Sequence, residues 1–461
     1  MSIVSIETVR PAAPALPSAP VSYNKGYIDQ LNNILRLYFN RLDNALRAIM
    51  DSNTPIPISF PANALDAFGR LVTVQPYTIF DSQNRFAIDN QFSTSTATGG
   101  ATSYLANESS VQMSVTTSSG SEVVRQTYRS MPYQPGKGLT VLATFVMAAA
   151  QANLRQRVGY FNTSNGVFVQ QNGTTVSFVL RSNSLPTPGT PSDVRTVNQA
   201  DWNVDPLNGT GPSGITLDLT KSQILYLDFE WLGVGDVRCG FVYEGQVVIC
   251  HIFQNPNVQT SVYMTTAILP VRYEITNTGA TASSSNMKQI CSSVLSMGGY
   301  EQTSIDHVAR RTTAFTNIDT AATFYPVVSI RLASTALGAV VLPNRIQFLP
   351  LSSQNYEVAL VKNCTLTGAS WAAVDSDANV ERDVSATAIA TLGTIVQTDY
   401  VTSTGSGGTI NTAAATGYNW DLQLGASLAG TSDIYTLAVR TVSGATQGDG
   451  VGSISFYDLT Q

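Results

Sequence analysis

The sequence predicts an all-β protein: an antiparallel β-sandwich or jelly roll plus a smaller C-terminal β domain, preceded by an extended arm and one amphipathic α-helix. Short runs of alternating or β-branched residues fill the chain beyond residue 62, without a long helical period between them. Turn pairs such as Asn172-Gly173 and Glu244-Gly245 separate these runs, as they do in hairpins. Strands at this frequency, without intervening helices, indicate antiparallel sheets packed on one another.

The first segment, residues 1–22, is rich in proline: Pro11, Pro14, Pro17 and Pro20. Proline lacks a backbone N–H and fixes φ, so the segment is predicted to be an extended arm rather than a helix. Two interpretations stay open. The arm is either a disordered tail or a strand-like segment laid along a neighbouring subunit and ordered by that contact.

Residues 23–52 are predicted to form an oligomerising or anchoring helix. Apolar residues recur there at alternating steps of three and four, which is a heptad pattern. The residues of this stripe are Ile28, Leu31, Leu35, Tyr38, Leu42, Ala45 and Ile49. A second apolar row widens the stripe beyond that of a two-stranded coil: Ile34, Leu37, Phe39 and Leu46. Such a stripe needs a partner, either this chain's own β domain or symmetry mates in a trimer or similar bundle.

Prolines also delimit the remaining segments. Pro55, Pro57 and Pro61 predict a stiff linker after the helix. Pro343 and Pro350 mark a predicted boundary between a jelly-roll β-sandwich domain over residues 62–342 and a C-terminal β domain over residues 350–461.

The composition excludes several classes of protein. Charged residues make up only 12% of the 461 residues, and the formal net charge is −6. Because a nucleic-acid-binding surface needs basic residues to neutralise phosphates, we expect no nucleic-acid partner. No run of about 18 apolar residues occurs, so we expect no membrane span. The first residues lack a basic region followed by an apolar one, so we expect no secretory signal and assembly in a cytosol.

Four cysteines are present: Cys239, Cys250, Cys291 and Cys364. A two-residue turn at Glu244-Gly245 would place Cys239 directly opposite Cys250 in a hairpin, which invites a disulfide. The pair would fall at a hydrogen-bonded position, where side chains are farther apart. We therefore favour reduced, buried thiols over a disulfide.

The sequence predicts neither a cofactor nor a metal. A segment that begins at Asp375 has oxygen ligands at the first, third and fifth places of a calcium loop. However, Val380 replaces the glycine at the sixth place and Ala386 the glutamate at the twelfth, so we interpret it as a polar turn. The only histidines are His251 and His307, which limits histidine-based catalysis, and a structural role is expected for His251.

Residues 225–233 (LYLDFEWLG) hold the strongest candidate site. Strand alternation predicts that Tyr226, Asp228 and Glu230 share the face opposite the core. The segment resembles the active strand of laminarinase-type glucanases with a concanavalin-like jelly roll, which carry three carboxylates at alternate positions. In that comparison Tyr226 occupies the place of the nucleophile, and Asp228 and Glu230 match the helper and the acid/base. A retaining glycosidase needs both a nucleophile and an acid, so the resemblance implies the fold without catalytic residues.

Several segments together resemble the virion structural proteins of tailed, marine-type bacteriophages. The match includes 35–44 (LRLYFNRLDN), 66–71 (DAFGRL), 76–82 (PYTIFDS), 125–127 (RQT), 133–137 (YQPGK), 211–219 (GPSGITLDL), 227–235 (LDFEWLGVG), 269–275 (LPVRYEI) and 431–437 (TSDIYTL). The resemblance covers most of residues 24–461. It implies a component of the capsid or the tail, without specifying which.

We expect a non-enzymatic virion structural protein that forms homo-oligomers, in particular trimers. It would act as a spike, fibre or capsid-decoration component, assembled in the host cytoplasm and anchored to other virion proteins by its arm and helix. The alternative is a tail-associated adhesin that binds host surface glycans through Tyr226, Asp228 and Glu230 or through the loop at residues 405–408. A third hypothesis is an enzyme that cleaves surface polysaccharide with Glu230.

Overall fold

The computed structural model describes residues 22–50, 73–301, 304–402, 408–411, 419–443 and 447–460. For residues 45–50 and 408–411 the backbone alone is described. The predicted arm, except its last residue, and the linker prolines lie outside the described residues, as do residues 405–407 of the predicted binding loop. The chain divides into two compact units, residues 1–73 and residues 74–461.

The first unit contains one α-helix, α1 (Lys25–Met50), within the segment predicted to be helical. Asn24 caps it: its Oδ1 accepts a hydrogen bond from the backbone N–H of Tyr27 at 3.3 Å. The stripe residues Ile28, Leu31, Leu35, Tyr38 and Leu42 are half-buried, whereas the side chains of Ala45 and Ile49 lie outside the described residues. In the second apolar row, Leu37 is 51% exposed and Phe39 59% exposed. No helix among the described residues has the length and hydrophobicity required to cross a membrane.

The second unit begins with fifteen strands that form two sheets. The strands are β1 (Pro76–Gln83), β2 (Phe92–Ala97), β3 (Ala101–Leu105), β4 (Ser110–Val115), β5 (Glu122–Thr127), β6 (Gly138–Val146), β7 (Leu154–Phe161), β8 (Gly166–Asn172), β9 (Thr175–Ser182), β10 (Ser192–Asn198), β11 (Gln223–Phe229), β12 (Val237–Tyr243), β13 (Gln246–Phe253), β14 (Val271–Asn277) and β15 (Ser285–Met297). The eight-stranded sheet has the order β13-β12-β11-β6-β15-β4-β3, with β1 also paired to β15. The seven-stranded sheet has the order β10-β9-β8-β7-β14-β5-β2.

These two sheets pack face to face around one apolar core. Every pair of neighbouring strands is antiparallel, and alternate residues of each strand point into the core. Its fully buried residues include Val141, Phe145, Tyr160, Phe178, Leu227 and Tyr273. The predicted antiparallel β-sandwich of jelly-roll type is therefore confirmed.

A second, smaller sandwich follows. Its strands are β16 (Asp306–Arg310), β17 (Tyr325–Leu332), β18 (Val341–Pro350), β19 (Tyr356–Lys362), β20 (Thr365–Thr367), β21 (Ala372–Ala373), β22 (Val380–Asp383), β23 (Ala388–Thr391), β24 (Thr394–Val401), β25 (Gly408–Asn411), β26 (Ile434–Thr441) and β27 (Gly450–Asp458). A sheet of order β16-β27-β18-β25 faces one of order β21-β22-β17-β26-β19-β24, and β20 pairs with β23. Ile330, Phe348, Tyr356, Leu437 and Phe456 are among the residues of its core.

The change from the first sandwich to the second comes between Met297 and Asp306, earlier than the predicted boundary at 342–350. That predicted boundary falls inside β18. Its two prolines are tolerated there because Pro343 lies at a β-bulge in the pairing with β27 and Pro350 is the last residue of the strand. Neither proline therefore marks a linker.

The predicted hairpin formed by β12 and β13 contains a β-bulge that shifts the pairing of its cysteines. Cys239 lies opposite His251, and the next residue, Gly240, lies opposite Ile249, so Cys250 is the extra residue. The prediction that Cys239 lies directly opposite Cys250 is therefore wrong. A count from the turn cannot reveal an inserted residue. Both thiols are free and buried.

Candidate functional site

Strand β11 carries the predicted site and shows the predicted alternation. Leu225, Leu227 and Phe229 are buried in the core of the first sandwich. Tyr226 and Asp228 are half-buried on the outer face of the eight-stranded sheet. A strand whose apolar residues occupy every second position must place the intervening polar residues on the opposite face, so the local sequence fixes this arrangement.

The neighbouring strands complete a small polar group around Asp228. In the sheet register Asp228 lies opposite Thr140 of β6 and Arg238 of β12. Its Oδ1 accepts a hydrogen bond from Thr140 Oγ1 at 3.2 Å. Its Oδ2 lies 3.7 Å from Nη1 of Arg238, whose side chain is 61% exposed. Asp228 is therefore held by the hydrogen bond from Thr140, by one from the neighbouring Tyr226 and by an ion pair with an exposed guanidinium.

Burial changes the ionisation of both polar residues on this strand. It raises the pKa of Asp228, against the opposing effects of the Arg238 charge and the Thr140 hydrogen bond. Burial, together with the charge of Asp228, raises the pKa of Tyr226. A phenol whose pKa lies above its ordinary value stays protonated at neutral pH. Tyr226 consequently offers a hydrogen-bond donor rather than an anionic nucleophile.

Glu230 lies one residue beyond the end of β11 and is exposed. It continues on the outer side, because its Cγ would lie 3.8 Å from a Cβ added at Gly138, the first residue of β6. The chain then turns, and the N–H of Gly235 donates to the carbonyl of Trp231 at 2.8 Å. Trp231 packs edge-on against Tyr133, with ring centroids 6.0 Å apart.

The structure thus brings Tyr226 and Asp228 together on one strand and leaves Glu230 at its end. This face presents to solvent the phenol of Tyr226, the carboxylates of Asp228 and Glu230 and the guanidinium of Arg238. These groups can donate and accept hydrogen bonds to a hydroxylated ligand.

The other sequence motifs have structural roles in the described chain. Asp375 Oδ1 accepts hydrogen bonds from the N–H groups of Asp377 at 3.0 Å and Ala378 at 2.7 Å, and its Oδ2 lies 2.9 Å from Nδ1 of His307. The calcium-like segment is therefore a polar turn. His251 Nδ1 accepts from the N–H of Asn203 at 3.3 Å. Within the described ranges, no group of three or more His, Cys, Asp or Glu side chains could hold a metal ion.

The sequence did not reveal a layer of charged residues on the outer face of the seven-stranded sheet. Glu274 Oε1 lies 3.1 Å from Arg155 and 3.5 Å from Arg157, and its Oε2 lies 3.0 Å from Arg272. Burial opposes ionisation of Glu274, but the charges of Arg272, Arg157 and Arg155 outweigh it and lower its pKa. The only local signal is charge at alternate positions, which is equally typical of a solvated strand face.

Comparison with known proteins finds only distant structural likenesses. No protein-family model matches the chain, and no curated protein matches it. Among solved structures, the Emp47p carbohydrate recognition domain is 11% identical, with 52% of this chain and 100% of that chain covered and a TM-score of 0.29. The Bacillus licheniformis β-glucanase is 11% identical over 50% of this chain and 100% of its own, with a TM-score of 0.28. Peanut lectin is 11% identical over 49% of this chain and 100% of its own, with a TM-score of 0.29.

All three TM-scores are below 0.5, so these likenesses carry no argument about this chain. Neither a ligand nor an activity is carried over from them.

Proposed function

We propose that this chain is a non-enzymatic structural component of a virus particle, a homo-oligomeric and in particular trimeric spike, fibre or capsid-decoration protein. Its N-terminal arm and helix anchor it to other virion proteins of the capsid or tail, and its β-sandwiches form the exposed body. The sequence resemblance to virion structural proteins of tailed bacteriophages supports this assignment. The observation that supports the anchoring role is the incompletely buried apolar stripe of α1.

Helix α1 is long, amphipathic and belongs to a different compact unit from the β-sandwiches. Its 26 residues extend over about 39 Å at 1.5 Å per residue. The apolar stripe from Ile28 to Leu42 is only half-buried, and Leu37 and Phe39 expose more than half of their surface. Helices in proteins gain most of their stability from burying such a face, so the stripe favours a partner chain.

Residue Tyr226 supports the absence of hydrolysis. It stands where the glucanases that β11 resembles carry their nucleophile, and its raised pKa keeps the phenol protonated. We accordingly assign no catalytic residue. A turnover assay on laminarin and related β-glucans tests this directly. Hydrolysis that disappears in the Glu230→Gln variant would overturn the assignment.

Deletion of residues 1–50 tests the anchoring role. The truncated chain keeps the whole compact unit of residues 74–461, so it is expected to give the circular dichroism spectrum of a folded β protein. It is also expected to be monomeric and to be missing from particles assembled in its presence. Incorporation at the level of the full-length chain would rule out anchoring by the arm and helix.

A second candidate function is a tail-associated adhesin that binds host surface glycans. The favouring observation is the polar group on the outer face, where Tyr226 and Asp228 lie beside Thr140 and Arg238. A glycan array probed with the full-length protein would detect it. Binding through this face should decrease in Asp228→Asn and persist in Asp201→Asn, an exposed aspartate outside the group.

A further inference from the structure

A polar cleft of about 570 Å³ lies where the two sandwiches meet. Asn90, Gln91 and Arg129 of the first sandwich line one side, and Lys362, Asn363 and Asp433 of the second line the other. Its volume falls within the range of about 300–1,000 Å³ that is usual for small-molecule sites. None of the residues that line it belongs to the Tyr226 face.

The first sandwich contributes a wall whose side chains are fixed by hydrogen bonds. Arg129 is buried, and its guanidinium donates to the side-chain oxygen of Gln91 and to the backbone carbonyl of Trp420. Gln91 in turn donates from Nε2 to the carbonyl of Asp81 at 3.0 Å. The guanidinium also stacks over the ring of Phe80, 5.4 Å from its centroid. This wall is therefore formed before any ligand arrives.

The second wall is ordered in the same way. Asp433 Oδ1 accepts from Asn363 Nδ2 at 2.8 Å, and its Oδ2 lies 3.1 Å from Lys362 Nζ and 3.2 Å from the N–H of Gly425. Asn363 Oδ1 accepts from the N–H of Ile434 at 2.9 Å. Because both walls are held by such contacts, a ligand would pay little conformational entropy to order them.

The exposed residues of the lining supply groups that point to solvent. Asn90 and Thr394 are exposed, and the side chain of Asp421 is 91% exposed, with its Oδ1 3.8 Å from Arg129. The side chain of Lys362 is 30% exposed, and its ammonium group has three donors. Lys362 can therefore donate to a ligand while it stays paired with Asp433. The cleft thus combines amide, hydroxyl, carboxylate and ammonium groups at one opening.

The charges and the chemistry of the lining restrict the ligand class. The lining holds two cations, Arg129 and Lys362, and two carboxylates, Asp421 and Asp433, so its formal charges sum to zero. A polyanion or a cation gains no net attraction from such a site. No aliphatic residue is among the nine described residues of the lining, so apolar contact comes from the ring of Tyr128 and from the carbon atoms of polar side chains.

We propose that the cleft between the two sandwiches is a binding site for a neutral saccharide. Each sugar hydroxyl both donates and accepts, and adjacent hydroxyls match a donor and acceptor pair such as Lys362 with Asp433, whose Nζ and Oδ2 lie 3.1 Å apart. The saccharide enters with its hydroxyl edge toward the fixed walls. This site differs from the Tyr226 face and does not depend on the particle role proposed above.

Saturation-transfer difference NMR on the full-length protein tests the proposal. The probes are the methyl glycosides of glucose, galactose, mannose and N-acetylglucosamine, with glucose 6-phosphate as the charged comparison. Asn90→Trp fills the cleft from an exposed position. Its control is Asn107→Trp, which adds the same bulk at an exposed residue outside the lining.

Asp421→Asn removes one carboxylate while keeping the shape of the side chain. Its control is Asp201→Asn, which like Asp421 is an exposed residue of a short 3-10 helix. Loss of a hydrogen bond to a charged group should weaken binding about tenfold in Asp421→Asn. Circular dichroism spectra and melting temperatures that match the parent protein show that each variant is folded.

The expected result is transfer to at least one neutral methyl glycoside that disappears in Asn90→Trp, weakens in Asp421→Asn and persists in both controls. Three results would overturn the proposal: no transfer to any neutral probe, transfer that persists in folded Asn90→Trp, or stronger binding of glucose 6-phosphate than of methyl glucoside. Oligomeric state and particle incorporation are separate measurements, so failure here is distinguishable from failure of the anchoring role.

Discussion

Glu274 lies on β14 with 4% of its side chain exposed, between arginines of two strands. A carboxylate removed from water is costly unless opposite charges and hydrogen bonds compensate, and Arg155, Arg157 and Arg272 provide this compensation. Burial lowers the pKa of Arg157 to about 10, which shows how strongly the guanidinium is desolvated. The charged layer is therefore interdependent: each ion is tolerated because its partners are present.

Removal of this one negative charge should be strongly destabilising. Glu274→Gln removes the buried carboxylate that Arg155, Arg157 and Arg272 share, and leaves Arg157 only the partly exposed Asp193, 3.3 Å away. Breaking a buried pair in this way costs about 3–5 kcal/mol. Glu108→Gln is the control, because the Lys288–Glu108 pair is half-exposed and such pairs contribute about 0–1 kcal/mol. Urea unfolding of both variants measures the difference. Equal effects of the two substitutions would show that the layer is not coupled.

The same residue gives a pH dependence whose sign is fixed. The pKa of Glu274 is lower in the folded protein than in the unfolded chain, so its stabilisation is fully present above the unfolded value of about 4.3. It is lost as pH falls through the folded pKa, because the protonated carboxyl no longer balances the arginines. The stability difference between the parent protein and Glu274→Gln should consequently shrink in acid. Unfolding curves recorded from neutral pH downward measure it, and a constant difference would contradict this role.

The four thiols should differ in reactivity for reasons of burial. Cys239, Cys250 and Cys364 are buried, whereas Cys291 is half-buried. Burial, with the charge of Asp205, raises the pKa of Cys250 to about 12, and burial raises that of Cys239 well above its ordinary value. Iodoacetamide at neutral pH should label Cys291 first and the other three only after unfolding. Peptide mapping by mass spectrometry reads the order, and early labelling of Cys239 would disagree with the core described here.

At the level of single elements, sequence periodicity predicted the features that are set by residues close together along the chain. The heptad pattern predicted α1, and the alternation of β11 predicted the outward position of Tyr226 and Asp228, because both follow from backbone geometry. The bulge at Cys250 and the contacts of Glu274 could not be predicted in this way. They depend on pairing between strands that a single sequence does not encode locally.

The apolar stripe of α1 should control association. Leu35→Glu places a charge in the middle of the stripe, where burial against a partner helix would leave it unpaired. Asn32→Glu is the control, because it introduces the same charge at an exposed position of the same helix. Sedimentation velocity should show a shift toward monomer in Leu35→Glu alone. If both variants sediment like the parent protein, the stripe does not mediate oligomerisation.

At the scale of the whole β unit, residues 74–461, the two sandwiches are connected by a packed interface with hydrogen bonds rather than by a linker alone. Gln423 Nε2 donates to the carbonyl of Ser130 at 2.8 Å, and the N–H of Ala426 donates to the carbonyl of Tyr128 at 2.8 Å. Val340 and Leu342 of the second sandwich complete the core of the first. Pro343 and Pro350 suggested a domain boundary because proline marks irregular backbone. Proline alone cannot distinguish a bulge within a strand from a connection between domains.

This interface should make the two sandwiches unfold together, and Gly425 is the position at which to disturb it. A Cβ added there would lie 2.8 Å from the carbonyl oxygen of Tyr128, a backbone atom that cannot move aside. Gly425→Ala should therefore cost about 1–3 kcal/mol, the usual penalty for overpacking, and should broaden or split the single calorimetric transition expected of the parent protein. Gly338→Ala is the matched control, because its Cβ would lie an ordinary 3.7 Å from Ser130 Oγ. A sharp, unshifted transition in Gly425→Ala would mean that the two sandwiches do not stabilise one another through this contact. In that case the cleft between the sandwiches would lack the rigid walls on which its preference for a neutral saccharide depends.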